Sequence, residues 1–155
     1  MTDQKWARRP KEALDGFYVP FAQRARIYNS ADESIGTGGS PTLVTFNNNR
    51  YDIGGLSNAN GFTIVTEGHY LFGASVRWAA NATGQRVLYL QVNSTYVAIV
   101  SQLATGGSPT DQCISAQYAC SAGDTVRLYA YQDSGGALNI TAATAYSPEF
   151  WVQSI

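Results

Sequence analysis

The sequence predicts a single all-β domain built from about ten antiparallel strands. Apolar and polar residues alternate along much of the chain, which is the pattern of a strand with one buried face. Turn signals rich in Gly, Asn and Ser recur roughly every ten residues. Charged residues make up only 14% of the 155 residues, so the chain relies on Thr, Ser, Asn, Gly and Tyr. These features are typical of a β-sandwich or barrel.

The longest alternating stretch, residues 67–78, is the predicted centre of the domain. It places five apolar or aromatic residues on one face of an extended strand, namely Tyr70, Phe72, Ala74, Val76 and Trp78. A strand of this length needs neighbours on both edges, because a long free edge invites pairing with other chains. We therefore expect residues 67–78 to form a central strand.

The other elements follow from the same alternation and from the turn signals between them. Residues 36–41 are a predicted flexible loop, residues 47–49 a predicted turn and residues 51–56 a predicted irregular segment. Asn93-Ser94 predicts a tight hairpin connection. In chain order, the predicted strands are 25–28, 42–46, 62–65, 69–78, 86–92, 96–103, 113–119, 125–131, 138–142 and 150–152.

The alternation also assigns the hydrophobic core. Side chains at every second position of a strand share a face, and the apolar face is the one that folding buries. The residues expected in the core are Tyr70, Phe72, Val76, Leu88, Leu90, Val126 and Leu128.

Residues 1–24 are predicted to form an N-terminal arm, and residues 25–155 the folded body. Residues 1–26 hold six Lys and Arg against three carboxylates, a net +3, whereas the remainder holds four against eight, a net −4. Basic tails often bind partners, and a solvated terminus is the alternative interpretation. The arm residues expected to dock on another protein are Trp6, Arg8, Arg9, Phe17, Tyr18 and Phe21.

Composition excludes several classes of protein. No run of 18 apolar residues exists, so we expect no membrane span, and the first residues lack the apolar core of a signal peptide. We therefore expect synthesis in a cytoplasm. Cys113 and Cys120 are seven residues apart, so within one strand they point to opposite faces about 23 Å apart and cannot bond. We expect both to be buried free thiols.

Candidate catalytic and metal-binding residues are sparse. His69 is the only histidine, and a packed or partly exposed structural role is the favoured interpretation over catalysis. The carboxylates that could serve a hydrolase lie scattered beside turn signals, and nothing marks two of them as facing one another, so a hydrolase is an unsupported alternative. They are Asp32, Glu33, Asp52, Glu67 and Asp111. Calcium could use Asp52, Asn58, Asn60 or Asp111, but solvated loop residues are the favoured interpretation. We expect no cofactor, no metal and no nucleic acid, since only the arm combines basic and aromatic residues.

Two motifs carry a resemblance to a known family. Gly123–Leu128 has the spacing G-D-x-V-x-L, and Gly68–Phe72 has the spacing G-x-Y-x-F. Together they resemble the globular head of the first complement component and tumour necrosis factor superfamily over residues 25–155. The resemblance implies a ten-strand jelly-roll sandwich that assembles as a compact homotrimer. Residues 77–84 and 134–139 are similar to the bacterial and bacteriophage branch, found on virion proteins.

The strand that follows the first motif supplies the predicted subunit contact. Val126 and Leu128 share the core face, which leaves Arg127, Tyr129 and Tyr131 on the opposite face. Aromatic residues are enriched in interface cores, so these three are the predicted trimer interface. The alternative is a set of amphipathic tyrosines on a solvated sheet.

The resemblance and the arm together imply a non-enzymatic bacteriophage virion structural protein. We expect a minor tail or tail-tip protein whose body faces outward to bind host-surface saccharide or protein, while the arm docks on other virion proteins. A capsid decoration or cement protein is the alternative location. A cell-wall polysaccharide hydrolase and a free bacterial lectin-like module are the alternatives from other classes.

Overall fold

The computed structural model describes residues 22–155, which form two antiparallel sheets packed as a jelly-roll sandwich and contain no helix. Consequently no helix of this part of the chain could cross a membrane. The strands, in chain order, are β1 (Arg24–Tyr28), β2 (Glu33–Ile35), β3 (Thr42–Leu43), β4 (Asn48–Ile53), β5 (Ser57–Asn58), β6 (Gly61–Thr63), β7 (Gly68–Trp78), β8 (Gln85–Val92), β9 (Thr95–Leu103), β10 (Thr110–Cys120), β11 (Thr125–Gln132), β12 (Leu138–Ile140) and β13 (Glu149–Ser154).

The first sheet has seven strands, and β7 lies inside it. Its path runs β2-β12-β7-β13-β1-β4, while β10 pairs with β7 over its whole length. In register, Thr110 lies opposite Trp78 and Cys120 opposite Gly68. The prediction of a central strand is confirmed, since β7 has partners on both edges.

The second sheet has six strands in the order β5-β6-β11-β8-β9, with β3 also paired to β11. The β8-β9 hairpin turns at Asn93, whose φ of 54° lies in the left-handed region that Asn tolerates better than most residues. The tight hairpin connection predicted at Asn93-Ser94 is therefore confirmed. A register shift between Leu90 and Gln91 adds a bulge to this hairpin.

The core lies between the two sheets, and all seven residues predicted for it are buried. None of Tyr70, Phe72, Val76, Leu88, Leu90, Val126 and Leu128 is more than 1% exposed. Phe62 and Phe46 pack against Phe150 with ring centroids 4.7 and 5.7 Å apart, and so join the sheets near the middle. These contacts are aromatic pairs in tilted geometry, which adds to the stabilisation from burial alone.

The sequence-based assignment was wrong around residues 47–56. The predicted turn at 47–49 and the irregular segment that follows instead contain β4, which pairs with β1. A register shift between Arg26 and Ile27 interrupts that pairing. Because β4 is an edge strand whose side chains are polar or exposed, it lacks the apolar alternation by which strands are recognised.

Polar side chains fill one end of the sandwich. Trp78 donates from Nε1 to Gln112 at 2.7 Å, and Gln112 donates from Nε2 to the carbonyl oxygen of Arg86 at 2.9 Å. The fully buried guanidinium of Arg86 donates to the carbonyl oxygens of Thr83 and Gln85 at 3.0 Å. Burial lowers the pKa of Arg86, although Asp133 counteracts this effect. The Nε atom of Arg86 is buried without a hydrogen-bond partner among the described residues. The other polar groups named here are paired, and this pairing favours one arrangement at the end of the sandwich.

Candidate interaction surfaces

Four tyrosines form a continuous patch on the outward side of the six-stranded sheet. The ring centroids of Tyr89 and Tyr96 are 4.9 Å apart, and Tyr96 meets Tyr129 edge-on at 6.4 Å. Tyr131 lies two residues beyond Tyr129 on the same side of β11. We call these four residues, with Arg127, the tyrosine face. The three residues predicted as a trimer interface share this outward side, and their contact with another subunit stays a prediction.

The strand register explains why the tyrosine face is continuous. Leu43, Tyr129, Tyr89 and Ile99 lie in one row across β3, β11, β8 and β9. Tyr96 is 43% exposed and Ile99 59%. Burial raises the pKa of Tyr89, and its neighbours Tyr96 and Tyr131 add to the effect. The row therefore combines packed tyrosines with an exposed apolar margin, and such patches mark interaction sites.

A second surface lies on the outward side of the seven-stranded sheet. The indole of Trp151 covers Gly73 so closely that a Cβ atom at that position would overlap the ring. Beside it, Ser75, Cys113 and Ser115 line a shallow pocket of about 310 Å³ with the same indole. We call this pocket the serine floor. Its small side chains leave room for a protruding group of another molecule.

A buried carboxylate lies near the same face. Glu149 is 1% exposed and forms ion pairs with Arg26 and Arg50. The guanidinium of Arg50 lies 4.5 Å from the centre of the Tyr28 ring and donates to the carbonyl oxygen of Thr144 at 2.6 Å. Sequence reasoning missed this cluster because Arg50 and Arg26 lie 99 and 123 residues before Glu149 in the chain. No local spacing signal could have revealed it.

Asp52 and Asp111, the two carboxylates considered for calcium, already have protein partners. Asp52 accepts from the backbone amides of Leu56 and Ser57 at 2.9 and 3.0 Å, so it closes its own turn. Asp111 accepts two bonds from Arg77, at 2.7 and 2.8 Å. That pairing lowers the pKa of Asp111. Within residues 22–155, no group of three or more His, Cys, Asp or Glu side chains could hold a metal ion.

The cysteine prediction was half wrong. Both cysteines lie in β10 and are free, and Cys120 is buried, but Cys113 is exposed on the outward side of the sheet. The odd spacing places them on opposite faces, and only one face is the core. Burial raises the pKa of Cys120 to about 11, and Asp124 adds to this effect, so this thiol is unreactive at neutral pH.

The remaining predicted residues divide between exposed positions and the arm. His69 and Glu67 are both exposed where β7 begins. The six predicted docking residues, Trp6, Arg8, Arg9, Phe17, Tyr18 and Phe21, lie outside the described residues. β1 starts at Arg24, one residue before the predicted strand 25–28, and Gln23 already forms hydrogen bonds with Thr66 and Ser154.

Comparison with known proteins identifies the fold. No protein-family model matches the chain, and no curated protein matches it in sequence. Among solved structures, Eiger TNF from S. frugiperda is similar with a TM-score of 0.62 and 13% identity, covering 86% of this chain and 92% of that one. Two crystal structures of murine APRIL are similar with TM-scores of 0.63 and 0.64 and 11% identity, covering 87% of this chain and all of theirs. The fold is therefore a TNF-like jelly roll.

Proposed function

We propose that this chain is a non-enzymatic bacteriophage virion structural protein that forms a homotrimer. The body would face outward as a minor tail or tail-tip protein and bind saccharide or protein on the host surface. The observation that carries the proposal is a TNF-like jelly roll preceded by a basic, aromatic arm. Residues 77–84 and 134–139 are similar in sequence to the bacterial and bacteriophage branch of the family, and this similarity supports a location on the virion.

The arm is the proposed particle anchor. Its aromatic residues can fill pockets on a virion partner, and buried aromatic anchors carry more affinity than rim charges. Its arginines can pair with acidic grooves in bidentate geometry. The anchoring set is Trp6, Arg8, Arg9, Phe17, Tyr18 and Phe21.

Deleting residues 1–21 tests the anchor. We expect the truncated body to stay folded and trimeric, because Gln23 and all thirteen strands are retained. We expect it to be absent from purified particles, because the proposed anchor has been removed. The full-length protein should stay on the particle in 0.5 M salt, where the Debye length is only about 4 Å, because aromatic contacts are not screened. Normal incorporation of the truncated chain, or complete loss of the full-length chain in salt, would contradict the proposal.

The tyrosine face is the proposed subunit contact. Replacing Tyr129 and Tyr131 with Ser should convert the trimer into smaller species, as measured by light scattering coupled to size-exclusion chromatography. The matched control replaces Tyr51 and Tyr146 with Ser as well. These two tyrosines are 43% and 39% exposed and lie outside the tyrosine face. A trimer that survives the first pair and is lost with the control pair would transfer the contact to the seven-stranded sheet.

The position on the particle separates the two virion alternatives. A tail-tip protein should appear in a density map of the intact particle at the end of the tail. A capsid decoration or cement protein should appear on the shell between capsid subunits. For the hydrolase alternative, measurable turnover of host cell-wall polysaccharide that disappears with Glu67→Gln would overturn the non-enzymatic proposal.

A further inference from the structure

The strand β9 lies at a free edge of the six-stranded sheet, since β8 is its one strand partner among the described residues. Just after β9, the amide of Ala104 donates to the carbonyl oxygen of Gly84 at 2.9 Å, so the backbone of Ala104 points toward the β8 side. In an antiparallel ladder this direction alternates from one residue to the next. The backbone N–H and C=O groups of Ile99, Ser101 and Leu103 therefore point to the open side of the sheet.

The edge formed by β9 lacks the features that usually block a free strand. Natural proteins protect such edges with charged residues, proline, a bulge or a very short strand. β9 has nine residues, none of which is charged or proline, and its register shift lies near the hairpin turn, away from residues 99–103. Ile99 and Leu103 are 59% and 75% exposed. A long, uncharged and apolar edge of this kind is a site for pairing with another strand.

The other edge strands of residues 22–155 carry the protections that β9 lacks. β2, β3 and β5 have only three, two and two residues. β4 carries Arg50 and Asp52. β10 carries Asp111, which forms an ion pair with Arg77. Within the described part of the chain, β9 is therefore the edge strand that is both long and free of charge.

We propose that β9 pairs with β9 of a second copy of this chain, in antiparallel orientation about a two-fold axis that passes beside Ser101. Each copy then extends the six-stranded sheet of the other. This register places Ser101 opposite Ser101 of the second copy, and Ile99 opposite Leu103 of the second copy. Each such pair can exchange two N–H···O bonds, because the backbone groups of all three residues already point to the edge.

The edge is complementary to itself, which favours a second copy over a different partner. In a two-fold contact residue i meets residue j, and residue j meets residue i. Ile99 and Leu103 therefore meet each other on both sides of the axis, so apolar side chains face apolar side chains twice. Because β9 carries no charge, identical strands bring no like charges together. A charged strand of another protein would find no opposite charge on β9.

The inference goes beyond the proposed function, since the two-fold contact does not depend on the three-fold one. Combined with the proposed homotrimer, pairing through β9 gives closed assemblies of six copies, in which every chain of one trimer pairs with a chain of the other. Without the three-fold contact it gives a dimer. A wild-type protein of three copies therefore contradicts only the pairing of β9, and a wild-type protein of two copies contradicts only the proposed trimer.

Light scattering coupled to size-exclusion chromatography of the full-length protein tests the pairing. We expect six copies for the wild type. The variant that combines Ile99→Lys with Leu103→Lys places like charges opposite each other and should halve the mass. The matched control combines Tyr51→Lys with Ile53→Lys, which adds the same charge to β4, where these residues are 43% and 41% exposed, and should keep the wild-type mass.

A second variant tests the register of the contact. Ile99→Lys combined with Leu103→Glu places a Lys opposite a Glu on both sides of the axis, although it loses the same two apolar side chains. We expect it to pair in low salt where the double Lys variant does not, and we expect added salt to weaken its pairing. Thermal unfolding checks that each variant is folded. If the double Lys variant is not, Ser101→Pro replaces it, because it removes an N–H that points to the free edge.

Three results would overturn the inference. A wild-type protein of three copies or of one would show that β9 does not pair between copies. A double Lys variant with the wild-type mass would place the two-fold contact elsewhere. Equal masses of the double Lys variant and the variant with one Lys and one Glu would contradict the antiparallel register centred on Ser101.

Discussion

Leu128→Ala tests whether the face assignment of β11 is right. Leu128 is 0% exposed and lies opposite Leu90, which is also 0% exposed. The substitution removes three carbon groups at about 0.8 kcal/mol each, or roughly 2.4 kcal/mol of transfer free energy. A residual cavity adds to this loss, because a packed core relaxes only partially. We expect the free energy of unfolding to fall by about 2–4 kcal/mol.

The assay for Leu128→Ala is urea unfolding monitored by tryptophan fluorescence, supported by thermal unfolding. For a chain of this size, each kcal/mol shifts the midpoint by about 2–4 °C, so the variant should melt about 4–16 °C lower. Tyr51→Ser is the comparison, because Tyr51 is 43% exposed on β4 and lies outside both the core and the tyrosine face. A loss below about 0.5 kcal/mol, within the range of ordinary surface substitutions, would refute the assignment of Leu128 to the core.

Two further predictions concern turns. Burial tends to raise the pKa of Asp52, but hydrogen bonds from Ser57 and the backbone outweigh it and lower that pKa. The ionised Asp52 carboxylate therefore stabilises the fold above about pH 4, and this stabilisation is lost as the pH falls through the lowered pKa. Asn at this position does not titrate, so the unfolding free energy of Asp52→Asn should change less than that of wild type between about pH 5 and pH 3. Gly61 has a φ of 130°, and an added Cβ would overlap the carbonyl oxygen of Val126. Gly61→Ala should cost about 1–3 kcal/mol in urea unfolding, whereas Gly36→Ala, which meets open space, should cost less than about 1.

Strand alternation made much of this fold predictable from the sequence. In β7 the period of two is unbroken from Tyr70 to Trp78, and every residue of that face is buried. The same holds for β11, where Val126, Leu128 and Ala130 are all 0% exposed. Burial on one face requires an apolar residue at every second position, so the sequence records it directly.

Edge strands and distant contacts could not be predicted in the same way. β4 carries few apolar residues because neither of its faces enters the core, so its sequence resembles that of a loop. The ion pairs of Glu149 with Arg26 and Arg50 depend on which strands become neighbours, and periodicity does not contain that information. Whether Cys113 would be buried depended on which side of β10 faces the core.

The geometry of a closed ring limits which surfaces can meet in the proposed trimer. Rotation by 120° requires two different patches whose outward directions differ by about 60°. The outward faces of two packed sheets point in opposite directions, so joining the tyrosine face to the serine floor would build an open stack. The flank between them, where the free edges of β9 and β10 lie together, is inclined to both faces. A flank of the sandwich, such as the one formed by β9 and β10, therefore meets the angular requirement with either face. Replacing Tyr129 and Tyr131 with Ser tests whether the tyrosine face is one half of the contact.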